Sequence, residues 1–230
     1  MSRTALSIVM CVRDGERYLR EAIESLLSQD AAPDEIVVVD DGSTDATPAI
    51  LRSYGDSIVV VTQPPMGIFP AMNRGIAASS GDLVGFLDAD DIAPRESVSS
   101  RLEVLRADPQ LDGVVGRVVQ FVSPDVSTEV ASRYVVDTTP MLAPSFTSSI
   151  FRRDLLNRVG ALDENLRTGS TIDWMSRARS LGVRLGEVDA VVLLRRVHGG
   201  NIGAREPEVT RQNLLAVVRA HRRRVHGAPS

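Results

Sequence analysis

Four short apolar runs, each closed by a polar cluster, constrain the fold of this chain more than any other feature. Residues 5–11 (ALSIVMC), 35–39 (EIVVV), 57–62 (SIVVVT) and 83–87 (LVGFL) are too short for helices. Most are rich in β-branched residues, so they read as strands, the first of them buried. Between the first two, Tyr18, Leu19, Ala22, Ile23, Leu26 and Leu27 form a stripe at helical spacing. This predicts a helix from about Arg17 to Ser28, with Asp14 as a cap. Ser43 or Thr44 opens a second helix towards Tyr54, and a third is expected over 71–79, ahead of Gly81. Strand, helix, strand, helix implies a parallel sheet with crossover helices. Such sheets bind ligands outside the carboxyl ends of their strands. The clusters Arg13-Asp14, Asp40-Asp41 and Asp88-Ala89-Asp90 all follow strands. They are therefore expected on one rim.

The second half is less regular. Helices are expected over 98–106, 153–159 and 171–181, strands over 113–122 and 183–192, and a basic terminal helix over 206–224. Residues 123–145 read as loop. No repeat or linker interrupts the 230 residues, and a single domain over 1–230 is expected.

Composition narrows the function classes. At 43% hydrophobic and 24% charged the chain is ordinarily globular, so a folded core is expected. The formal charge of −4 argues against a dedicated nucleic-acid binder. Cys11 is the one cysteine, which excludes an internal disulfide framework and a multi-cysteine zinc site. No stretch is apolar and long enough for a membrane span or a signal peptide, so a cytoplasmic protein is expected. Every one of the 26 basic residues is Arg. Mechanisms that require lysine are thereby removed.

In GFLDADD (85–91) carboxylates crowd the end of an apolar run. Like charges this close raise one another's pKa unless a cation holds them. The turn after the first strand, CVRDGER, lacks the glycines of a dinucleotide-binding fold, and a phosphate-binding P-loop needs lysine. A calcium-binding EF-hand loop spreads its ligands over twelve residues with a central glycine, which is absent here. Phosphatases with an aspartate nucleophile share the D-x-D but normally need a later lysine. The remaining reading is a divalent cation, Mn2+ or Mg2+, between the carboxylates and a diphosphate. There it takes up charge as diphosphate leaves, as when a sugar is transferred from its nucleotide.

Several ordered blocks resemble the family 2 glycosyltransferases, which have the GT-A fold. They are LSIVMCVRDGERYLREAIESLLSQ from Leu6, IVVVDDGSTDAT at 36–47, GIFPAMNRGIAASSGDLVGFLDADD at 67–91 and RRVHGGN at 195–201. The resemblance implies an α/β fold: a GT-A-type, Rossmann-like, mostly parallel sheet flanked by helices. It implies a nucleotide-binding half over about 1–112 and an acceptor-side, catalytic half over about 113–205, followed by the basic helix and tail at 206–230. The implied activity is inverting, metal-dependent transfer of one sugar from a nucleotide-diphosphate sugar to an acceptor hydroxyl. The acceptor is a saccharide, lipid-linked or small molecule in a glycan-assembly pathway. The alternative is a non-catalytic nucleotide-sugar-binding or scaffolding partner.

Roles follow from the matched positions. Asp90 is implied to coordinate the metal, with Asp88 on the ribose or on the metal through water, Ala89 between them, and His198 completing the metal site. Asp41 is implied to accept a ring N–H of the base, which suits uracil or a keto guanine and favours a UDP-sugar. Asp40 contacts the nucleotide or orients its turn. Cys11, Val12 and Asp14 lie where the family cradles base and ribose, although Asp14 reads equally as a helix cap. Asn73 is implied to reach the nucleotide or donor sugar. Pro70 stands where relatives often carry an acid. Asp173 matches the general base of the family's acidic pair, with Ile172 in place of the first acid, and Trp174 either stacks on an acceptor ring or fills the core. Arg196 and Asn201 are expected to close over the diphosphate, with Gly199, Gly200 and Gly203 allowing a lid. Arg219, Arg222, Arg223 and Arg224 suggest a weak peripheral contact with anionic lipid at the inner membrane face.

Overall fold

The structure, a computed structural model, describes residues 4–132, 136–166 and 168–198. The residues expected to form a basic terminal helix, 206–224, and the expected lid residues Gly199, Gly200, Asn201 and Gly203 lie outside the described residues.

The first half alternates as expected: β1 (Leu6–Val12), α1 (Leu19–Leu27), β2 (Glu35–Asp40), α2 (Thr47–Arg52), β3 (Val59–Thr62), α3 (Ile68–Ala78) and β4 (Leu83–Phe86). The second half comprises α4 (Ser97–Ala107), β5 (Gly113–Val122), α5 (Thr128–Ala131), β6 (Met141–Leu142), β7 (Ser149–Arg152), α6 (Arg153–Val159), α7 (Ser170–Ser180) and β8 (Leu185–Val197). All eight strands join one sheet in the order β3-β2-β1-β4-β7-β5-β6, with β8 also paired to β5. The pairs β1–β2, β1–β4, β2–β3 and β5–β8 are parallel; β7 is antiparallel to both β4 and β5. The mostly parallel α/β sheet thus stands, with an antiparallel insertion at β7 and β6 antiparallel to β5.

Alternation along β1 explains how helices cover both faces. Ile8, Met10 and Val12 pack with Leu19, Ile23 and Leu26 of α1, whereas Val9 packs with Phe69 and Met72 of α3. Each fully buried side chain of this kind contributes about 1.5–3 kcal/mol. Gly75 lets α3 approach the sheet: a Cβ there would lie 2.4 Å from a Val9 methyl. On the α3 face an aromatic cluster links the halves. Phe146 packs between Phe86 of β4 and Trp174 of α7, with ring centroids 4.8 and 5.0 Å away.

Three expectations on local structure change. Helix α1 begins at Leu19 with no side-chain cap, so Asp14 does not cap it. Helix α2 begins at Thr47, leaving Ser43 and Thr44 in the preceding turn. Strand β8 runs on to Val197, so Arg195 and Arg196 are strand residues rather than part of a loop. Among the described residues no helix is long and apolar enough to cross a membrane.

Candidate active site

Strand β4 ends at Phe86, and the turn after it gathers the acidic groups. Carboxylate oxygens of Asp88, Asp90 and Asp91 all lie within 4.8 Å of one another. Asp91 belongs with the pair read from the sequence, although the D-x-D spacing singles out only its two neighbours. Its signal is the third acid of D-A-D-D, next in the chain to Asp90. Asp91 is buried, and its Oδ1 accepts the main-chain N–H of Arg196 at 2.8 Å. Loss of water, then Asp88 and Asp90, pushes its carboxyl well above the usual range, against that hydrogen bond and Arg195. Asp88 opens to solvent on one side. Protein around its other sides, and then Asp90, push its carboxyl up to about 6, with Arg195 acting in the opposite direction. Such mutual repulsion is relieved by a cation, and a set of hard carboxylate oxygens fits Mn2+ or Mg2+.

His198 follows β8 directly and sets its Nε2 2.9 Å from Oδ2 of Asp90. Its ring packs on Tyr18, centroid to centroid 4.9 Å. Arg196, expected above a diphosphate, lies instead beneath the acidic turn at 3% exposure. Its Nε donates to the Asp90 carbonyl at 2.8 Å, and its Nη2 pairs with Glu21. A strand position pointing into the protein makes this arginine a support rather than part of a lid.

The turns after β1 and β2 are tied together. Asp14, at φ +51° in the left-handed region, accepts hydrogen bonds from the Thr44 N–H (2.7 Å) and hydroxyl (3.2 Å). Its own N–H donates to Ser43 Oγ at 2.9 Å. The Asp14 side chain thus braces the second turn in place of a helix cap. Asp40 accepts the Ser43 N–H at 2.9 Å, the turn-orienting alternative for that residue. Gly42 has φ +73°, and a Cβ on it would meet Pro65 Cδ at 2.7 Å, so the turn and the 63–67 loop close only on glycine.

Asp41 is the centre of that closure. Its Oδ1 accepts from Gln63 Nε2 (2.7 Å) and the Met66 N–H (2.8 Å), and its Oδ2 from the Gly67 N–H (2.8 Å). Three hydrogen bonds to its own chain occupy the carboxylate that was expected on a base. Val12 is buried and offers its carbonyl to the Asp41 N–H at 2.9 Å. Cys11 is half-buried beside these groups. Burial, then the charges of Asp88 and Asp41, hold its thiol far above the usual range, so it is no nucleophile. Ala89 is half-buried within the acidic turn.

Asn73, expected on the nucleotide or donor sugar, is engaged by the chain itself. Its amide nitrogen donates to the Leu162 carbonyl (3.0 Å) and Glu164 Oε1 (2.8 Å), and its Oδ1 accepts the Leu162 N–H (2.9 Å). It is a clasp between α3 and the 162–164 segment. Asp173 sits in the first turn of α7, which starts after Gly169 at φ +82°. Its Oδ2 accepts from Arg177 Nε at 2.9 Å, and Arg177 also donates to the Val159 and Ala161 carbonyls. Trp174 is buried and donates from its ring N–H to the Gly160 carbonyl at 2.8 Å. It fills the core and does not face an acceptor. Ile172 is 52% exposed.

The structure therefore brings Asp88, Asp90, Asp91 and His198 together, with Cys11 and Asp41 adjacent. Asp14, Asp40 and Asn73 are placed as braces, and Asp173 stands in a separate network on α7.

A solved structure of Staphylococcus aureus TarS matches 98% of this chain and 66% of that one with a TM-score of 0.74, at 21% identity. A Pyrobaculum calidifontis mannosyltransferase, solved in complex with GDP-Man and Mn2+, matches 95% of this chain and 65% of that one at a TM-score of 0.69 and 20% identity. These likenesses show the GT-A fold. An uncharacterized glycosyltransferase of Rickettsia typhi is 28% identical over 213 residues, 84% of this chain and 64% of the relative. One from Nostoc is 30% identical over 173 residues, 69% of this chain and 54% of the relative. The chain thus spans little more than half to just under two thirds of the length of these relatives. The family model described as glycosyl transferase family 2 matches residues 7–170. With its acidic turn after β4 and its mostly parallel GT-A sheet, this chain belongs to glycosyl transferase family 2.

Proposed function

We propose that the chain transfers one sugar from a nucleotide-diphosphate sugar, UDP-linked by preference, to an acceptor hydroxyl with inversion at the anomeric carbon. The observation that carries this reading is the convergence of the Asp88, Asp90 and Asp91 carboxylates at the carboxyl end of β4. Membership of the family supports it, as do fold neighbours solved with UDP-GlcNAc and with GDP-Man. Asp88 and Asp90, with Asp91 behind them and His198 beside Asp90, are the residues that would hold Mn2+ or Mg2+. Bound there, the ion supplies Lewis-acid neutralisation of charge developing on the departing diphosphate.

The chain's own groups do the rest. The backbone of Cys11 and Val12 lines the floor beneath base and ribose. Asp41 shapes the base side by holding residues 63–67, and the second lone pair of its Oδ2 is the remaining place for a base N–H. Asp173 takes the proton from the acceptor hydroxyl at a carboxylate oxygen. Arg177 fixes the orientation of that carboxylate, and the acceptor oxygen attacks the face opposite the leaving group. Ile172, exposed where relatives carry an acid, favours a second reading as a nucleotide-sugar-binding partner without turnover.

The test is a panel of nucleotide sugars incubated with candidate saccharide and lipid-linked acceptors, with Mn2+ and with EDTA. Metal-dependent release of nucleoside diphosphate and an inverted product are expected. A retained anomeric configuration contradicts single displacement, undiminished turnover in EDTA contradicts the metal role, and binding without turnover for every donor supports the second reading.

A further inference from the structure

We propose that Arg196 is the positioning residue of the metal site, setting Asp90 and His198 together from beneath. This rests on reading the acidic turn as a cation site. The guanidinium lies over the rings of both Tyr18 and Phe121, 4.5 and 4.8 Å from their centroids, and the residue is 3% exposed. Its Nε holds the Asp90 carbonyl at 2.8 Å, its Nη1 donates to Ser123 Oγ at 3.1 Å, and its Nη2 pairs with Glu21 of α1. The main-chain N–H of the same residue holds Asp91 Oδ1 at 2.8 Å.

The second route runs through Tyr18. The ring that covers the guanidinium also packs on His198, 4.9 Å away, and His198 reaches Asp90 Oδ2 at 2.9 Å. One planar cation thus fixes the backbone under Asp90 and the ring against which His198 rests. It joins α1, the end of β5, the acidic turn and β8. Lysine keeps the charge but lacks the fork and the plane, so it cannot make these contacts together. Groups that orient metal ligands in this way are typically worth about 10–100-fold in metal affinity.

The experiment is Mn2+ binding by the full chain without nucleotide, read from the electron paramagnetic resonance of free Mn2+, for wild type, Arg196→Lys and Arg196→Met. Circular dichroism verifies that each variant is folded. Both variants are expected to bind Mn2+ at least tenfold more weakly, with lysine giving no rescue. A purely structural role lowers thermal stability and leaves the affinity of the folded protein unchanged. Variants that bind within threefold of wild type therefore overturn the proposal. If both Arg196 variants fail to fold, Glu21→Gln carries the test at a side chain 56% exposed. A loss of threefold or more supports the proposal, and a smaller change overturns it. A wild-type chain that ignores Mn2+ overturns this proposal and the metal reading together, whereas equal binding by wild type and variants overturns the positioning role alone.

Discussion

Replacing Asp88 by Asn is expected to stabilise the metal-free protein while removing its response to Mn2+. The carboxyl of Asp88 is raised from 3.8 to about 6 by desolvation and by Asp90. A folded-state pKa above the unfolded value means that folding takes up a proton between those pH values. Stability from this group is therefore present below about pH 4 and is lost as pH rises through about 6. Moving a carboxyl from 3.8 to about 6 corresponds to about 3 kcal/mol at full value. Because the side chain faces solvent, screening reduces this to on the order of 1 kcal/mol. For a chain of this size that is about 2–4 °C in Tm. The assay is thermal unfolding in EDTA at pH 7.5 and pH 4.5, followed by circular dichroism. Asp88→Asn should melt higher than wild type at pH 7.5, with the gap shrinking to about a third of that at pH 4.5. With Mn2+ at about a hundred times its Kd, wild type should gain about 2.7 kcal/mol and the variant far less. A variant that melts lower at pH 7.5, or gains equally at both pH values, refutes the electrostatic reasoning.

Asn73→Ala removes three hydrogen bonds between α3 and the 162–164 segment, and should cost about 1–3 kcal/mol in urea unfolding. An unchanged midpoint contradicts the clasp. Gly75→Ala places a methyl 2.4 Å from Val9 and should cost about 1–3 kcal/mol in the same measurement. A neutral result contradicts the close α3–sheet contact. Asp173→Asn should lower kcat by about 10²–10⁴-fold with donor KM unchanged. Steady-state kinetics showing full kcat remove it as the base.

The sheet of the first half was legible because β1, β2 and β4 are buried on both faces and read as near-continuous apolar runs, as in EIVVV of β2, while the largely exposed edge strand β3 is betrayed by its run of valines. Strand β7, four residues long, carries no period long enough to read, and it exists because β4 and β5 both pair with it. The end of β8 was missed for a different reason. Leu194-Arg195-Arg196 looks like a polar loop until Glu21, Tyr18 and Phe121 enclose Arg196. Contacts of this kind join residues far apart in sequence, so no local pattern announces them. The acidic turn was visible at Asp88 and Asp90 because the two carboxylates stand one residue apart at the end of an apolar run. The proximity of His198 to it was available only through resemblance. Asp41 and Asn73 show the limit of motif reading. Their polar groups are engaged by residues 63–67 and 162–164, and the sequence does not disclose which neighbours a carboxylate or amide will meet first. Trp174 went to the core because Gly160 offers its ring N–H a carbonyl there.

Calorimetric titration of UDP into the full chain, once with Mn2+ and once with EDTA, probes the acidic turn most directly. If the Asp88–Asp90–Asp91 turn joins a divalent ion to a diphosphate, UDP binds with Mn2+ and its affinity drops at least tenfold in EDTA. Equal affinity in both solutions, or no binding in either by folded protein, contradicts the account.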